Sequence, residues 1–137
     1  MNYILLGRPE VLSRRHTGDI GNAHVQRRAH LQQLLSNQHN GLFMVGPLVV
    51  EATYNMPMQI KHPDNLIGKY YSMKPPLHFL DDMLLDVCNG VLFEDQAQVV
   101  RIVSKKVYSR SPSIEFSVYE LRNEENKKVR ENSEPLV

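Results

Sequence analysis

Apolar residues change their spacing several times along this chain, and each change marks an element. Tyr3 to Leu6 is a short apolar run closed by Gly7 and Pro9, which predicts an opening strand that stops at a turn. Ser13-Arg14-Arg15-His16 and Gly18-Asp19-Ile20-Gly21-Asn22 then make a polar, glycine-punctuated and locally basic connection. From Ala23 the spacing becomes helical. Val25, Ala29, Leu31, Leu34 and Leu35 approximate one face, Gln26, Arg27, Gln32 and Gln33 lie mostly off it, and Asn40-Gly41 ends the run. After Gly46-Pro47 the period drops to two. Leu48, Val50, Ala52, Tyr54 and Met56 alternate with Val49, Glu51, Thr53 and Asn55, the pattern of a strand with one mainly apolar face.

Residues 57 to 76 carry Pro57, Pro63, Pro75, Pro76 and Gly68, which predicts a long irregular segment with at most a short strand near Tyr70. Pro63-Asp64-Asn65 suits a turn. A second helix is expected from about Pro76 to Cys88, where Asn89-Gly90 stops it. Leu80, Met83, Leu84 and Val87 line its buried face, while Asp82 and Asp86 stack beside it with Asp81 nearby. Val91-Leu92-Phe93 reads as a short extended piece leading into the acidic turn Glu94-Asp95-Gln96. Val99 to Tyr108 and Ile114 to Leu121 read as strands joined by a turn containing Pro112. Residues 122–137 are rich in Glu, Asn, Lys and Arg, the composition of a solvated tail after a domain spanning residues 1–121. The elements sum to one α+β domain, a mixed and largely antiparallel sheet packed by two main helices.

Composition narrows the function more than it defines it. Sixteen basic against fifteen acidic residues leave a net charge of +1, so no global field favours nucleic acid or membrane. A single cysteine, Cys88, excludes an intrachain disulfide and a multi-cysteine zinc site, and reads as a small buried residue in a reducing compartment. No run approaches the ~18 apolar residues of a membrane span, and Met1 to Leu6 lacks the features of a signal peptide, so a cytosolic protein is expected. No nucleotide-binding glycine loop, serine elbow or kinase motif is present.

The segment from Lys74 to Val99 resembles the signature of the RusA family of Holliday-junction resolvases. That signature runs K-P-D-x-D-N-L-x-K, an apolar turn, and then D-A-L-N-G-V-x-x-x-D-D-x-Q-V. Asp86 through Val99 carries the specific half, with Asn89-Gly90 after a helix and an acidic turn before Gln98-Val99. A lysine on the following strand matches Lys105 or Lys106, and Pro9 followed by Arg14 and Arg15 matches the family's proline and basic loop. The resemblance implies a homodimer that binds a four-way DNA junction and cuts it with magnesium held by carboxylates, whose bound water attacks phosphate.

Carried over residue by residue, the family's first acid falls on Pro76, its second on His78, the neighbouring asparagine on Phe79 and a lysine on Asp82. In the acidic turn the first acid is kept as Asp95, and the second, a metal ligand, falls on Gln96. Proline offers no donor, and neutral histidine and glutamine are poorer partners for magnesium.

Three readings follow. A degenerate RusA-like protein keeps the fold and binds branched DNA or a protein partner, with Arg14, Arg15, Arg27, Arg28, Arg101, Lys105 and Lys106 as candidate phosphate contacts. A rewired nuclease instead uses Asp81, Asp82, Asp86 and Asp95 as its acids, with magnesium or manganese held by Asp86, Asp95 and His78. The third is an interaction module of separate origin, for which Tyr70, Tyr71, Met56, Met58 and Met73 offer partner-facing side chains or ordinary core.

Overall fold

The structure is a computed structural model, and it describes residues 1–12 and 18–121. Arg14, Arg15 and the tail from residue 122 lie outside the described residues. The elements are β1 (Asn2–Leu6), α1 (Gly18–Gln38), β2 (Leu48–Pro57), α2 (Leu77–Cys88), β3 (Val99–Ser109) and β4 (Ser113–Glu120), with single 3-10 turns at Asp64–Leu66 and Gln96–Gln98.

The strands form one sheet in the order β1-β4-β2-β3. β4 runs antiparallel to both β1 and β2, whereas β2 and β3 are parallel. The expected mixed, largely antiparallel sheet is therefore present, but β3 and β4, adjacent in sequence, are separated by β2.

The period-two pattern in β2 does its expected work. Leu48, Val50, Tyr54 and Met56 are fully buried and join Leu80, Leu84, Leu31 and Leu35 in one core, which places both helices on the same face. α2 buries Leu80, Met83, Leu84 and Val87 as the spacing predicts, and adds Cys88. Asn89 caps α2, and Gly90 takes a positive φ of 78°, which lets the chain leave the helix.

Three local expectations need correction. α1 begins at Gly18 rather than Ala23, because glycine and asparagine are tolerated in a first turn that needs few intrahelical bonds. On its apolar face Leu31 and Leu35 are buried and Leu34 is half-buried, but Ala29 is exposed. Val91 and Leu92 are not extended; they form a tight turn, and only Phe93 makes strand-like bridges, to Asn89 and Met44. The irregular segment does contain its short strand contact, an isolated antiparallel bridge from Tyr70 to Val107. Arg110 fastens the earlier part of that segment, donating to the carbonyls of Gln59 and His62 and to the Asp64 carboxylate at 2.9 Å.

The edge strand β1 is closed by a side chain. Gln38, at the end of α1, accepts from the Ile4 N–H at 2.9 Å and donates to the Ile4 carbonyl at 2.7 Å. Its amide thus occupies the place of a neighbouring strand's peptide. The Tyr3 hydroxyl also meets the buried ring of His39, just past α1, at 3.0 Å, so β1 is held on two counts where that helix ends.

Candidate functional site

Leu77, Leu80, Leu84 and Cys88 fall on one side of α2, and the same spacing puts Asp81 among them. Asp81 is half-buried there. Its two carboxylate oxygens accept one hydroxyl each, from Tyr54 on β2 at 2.7 Å and from Ser104 on β3 at 2.9 Å. Burial, then the Asp81 charge, raises the Tyr54 phenol far above its ordinary range. By sequence alone Asp81 groups with the other acids of the helix, Asp82 and Asp86. The signal that identifies it is the apolar i−4 and i+3 neighbours, Leu77 and Leu84, combined with two inward-facing hydroxyls that need an acceptor.

The segment leading into α2 is held by Lys106. Its ammonium donates to the carbonyls of Met73 at 2.6 Å and Pro75 at 2.7 Å, and lies 5.6 Å from the centre of the Tyr71 ring. Tyr71 is buried, while Tyr70 beside it is 78% exposed, so the two tyrosines have unlike roles. Pro76 is the N-cap of α2 and supplies no side-chain capping bond. His78 is exposed and its ring lies 4.2 Å from that of Phe79.

The acidic turn is built from the residues that carry the sequence resemblance. Asp95 caps the 3-10 turn by accepting from the Ala97 N–H at 2.9 Å, and the Gln98 side chain returns to accept from the Asp95 N–H, completing a capping box. Asn89 accepts from the Gln96 N–H at 2.8 Å, which ties the end of α2 to the turn. The Gln98 amide donates to the carbonyls of Met44 and Gly46, each at 3.2 Å, and fixes the loop before β2. Asn89, Gly90, Asp95 and Gln98 are thus accounted for as scaffold.

The remaining acids are dispersed in role. Asp82 is exposed, and Asp86 is half-buried and engaged. Among the described residues no three His, Cys, Asp or Glu side chains gather as a metal site would need, so His78, Asp86 and Asp95 do not form such a group. The residues present therefore do not fit a magnesium or manganese ion held by a cluster of carboxylates.

The basic candidates divide between two faces. Arg27 on α1 lies 3.6 Å from Glu10 and reaches the Leu6 carbonyl, against Gly7, whose φ is 112°. Arg28 is half-buried and engaged. Between Asp19 and Glu51 the chain has no acidic residue, so α1 carries Arg27, Arg28, His24 and His30 without opposing charge of its own beyond Asp19. Arg101 and Lys105 project from the other face of the sheet. There Arg101 donates to the Tyr119 hydroxyl at 3.2 Å, which in turn donates to Glu51 at 3.1 Å.

A family model described as endodeoxyribonuclease RusA matches residues 9–119. No curated protein matches the chain. No helix among the described residues is long and apolar enough to cross a membrane.

Proposed function

Because the chain belongs to the RusA endodeoxyribonuclease family, we propose that it is a Holliday-junction resolvase homologue that works as a pair of identical chains, binds branched DNA and has lost metal-dependent cleavage. One contrast carries this reading. The motif residues that remain, Asn89, Gly90, Asp95 and Gln98, form the turn and its fastenings, whereas the positions that would bind metal hold Pro76, His78 and Gln96. Loss of ligands with retention of scaffold is what remains when binding is kept and chemistry is not.

Phosphate contacts are assigned to Arg14 and Arg15 and to Arg27 and Arg28 on α1, where four arginines fall within fifteen residues of the sequence. Lys106 is taken up by the segment before α2, and Arg101 gives one bond to Tyr119. A cytosolic location accompanies this reading, in keeping with one buried thiol and no disulfide.

The test is gel-shift and cleavage on a synthetic four-way junction and a matched duplex, with magnesium or manganese, for the wild type and an Asp86→Asn/Asp95→Asn double variant. Junction-selective binding without cutting is expected. Cutting by the wild type that the double variant loses would overturn the loss of chemistry. Neither binding nor cutting would overturn the DNA reading and leave a protein partner as the ligand.

A further inference from the structure

Both helices pack on one face of the sheet, which leaves the other face open. At the level of Thr53 this face shows a specific arrangement. Thr53 pairs with Lys105 of β3 on one side and with Glu115 of β4 on the other, so a cation and an anion flank the central strand, about 10 Å apart. Both side chains are exposed, and neither has a partner among the described residues. One level along, Glu51 pairs with Val103 and Ser117, and Val103 is 55% exposed. A depression of about 770 Å³ crosses this face and is lined by all four strands.

We propose that this open face is where two copies of the chain meet, about a two-fold axis running along β2. The proposal takes from the proposed function only that the chain acts as a pair. A rotation of 180° about β2 exchanges left and right, so the partner's β3 lies over β4 and the partner's β4 over β3. Lys105 of each copy then faces Glu115 of the other, and the axis passes between the two Thr53 side chains. Aligned sheets pack about 10 Å apart, a gap that a lysine and a glutamate span together. Val103 is covered by the partner's Ser117, and the depression takes the side chains that protrude. An isologous interface must be its own complement. Lys105 and Glu115, placed symmetrically about β2, meet that requirement, while Glu51 on the axis faces its own copy with its carboxylate held by Tyr119, over which the partner's Arg101 lies. A small acidic or basic partner would match only half of it.

The test is sedimentation velocity on the full chain without DNA, over about 1–100 µM, for wild type, Lys105→Glu, Glu115→Lys, the double exchange, and a mixture of the two single variants. Circular dichroism checks the fold of each; both positions are exposed. Wild type is expected to dimerise. Each single exchange sets like charges against each other and weakens dimerisation at least about tenfold. The double exchange restores the dimer, and so does mixing the two single variants, since one then supplies glutamates and the other lysines at every contact. A wild type that dimerises equally well with either single exchange overturns this face and leaves the pairing intact. A monomeric wild type overturns the pairing itself, whatever the junction assay shows. Weakened single variants that neither the double exchange nor the mixture restores overturn the proposed axis.

Discussion

The Tyr54 hydroxyl donates to the Asp81 carboxylate at 2.7 Å, a bond that runs from the central strand β2 to α2. Ser104 supplies the second donor, from β3. This one acid therefore fastens α2 to two neighbouring strands, and it does so inside the segment where the family keeps its chemistry. Tyr54→Phe removes the hydroxyl without changing the ring. It is expected to lower stability by about 2 kcal/mol, the usual worth of a hydrogen bond to a charged group. In urea unfolding the midpoint should fall with the slope unchanged. If Asp81→Asn combined with Tyr54→Phe costs the sum of the two single changes, the pair is not coupled.

Stability should fall in mildly alkaline solution. Burial pushes the Cys88 thiol well above its ordinary 9.0, and burial with the Asp81 charge pushes the Tyr54 phenol above its ordinary 10.0. The folded chain keeps protons that the unfolded chain releases, so the stabilisation is complete below the unfolded values and is lost as pH rises beyond them. The decline begins near pH 9, at up to about 1.4 kcal/mol per pH unit for each group. Urea midpoints measured from pH 7 to 11 should show it, and Cys88→Ala should move the onset toward the tyrosine value.

Lys106 should behave as a positioning residue rather than a phosphate contact. Lys106→Met frees the Met73 and Pro75 carbonyls just before the Pro76 N-cap. Amide exchange at Phe79, whose N–H is bonded to Pro76, is expected to speed up. The salt dependence of junction binding should stay as it is. A slope reduced by about one contact would instead make this lysine a DNA ligand.

Gln38→Leu should open the β1 edge. Both bonds to Ile4 are lost, which is expected to cost about 1–2 kcal/mol and to expose unpaired backbone groups. Light scattering should rise with concentration in the variant and not in the wild type.

Much of this could be read from residue order because it rests on local spacing. The alternation in β2 and the apolar stripe Leu80, Met83, Leu84 and Val87 each name their buried face without reference to the rest of the chain. The motif from Asp86 to Val99 led to the family in the same way. What stayed hidden depends on contacts distant in sequence. Asp81 is told apart from Asp82 only by Tyr54 and Ser104, and the confinement of Lys106 and Arg101 only by where Pro75 and Tyr119 lie. The start of α1 was hidden for a different reason, since Gly18 and Gly21 read as breakers while a helix's first turn tolerates them.

Strand order carries a consequence for how the chain comes into being. Among the described residues β1 has only β4 as a sheet neighbour, and β4 is the last strand to be made. As synthesis proceeds from the amino end, β1 has no strand to pair with until residues near 113–120 leave the ribosome. Through that interval its Ile4 backbone groups can be occupied by Gln38, a residue already synthesised. The amide covers only the outer side of β1, so the groups of Tyr3 and Leu5, on the side that β4 will take, wait open until the last strand arrives.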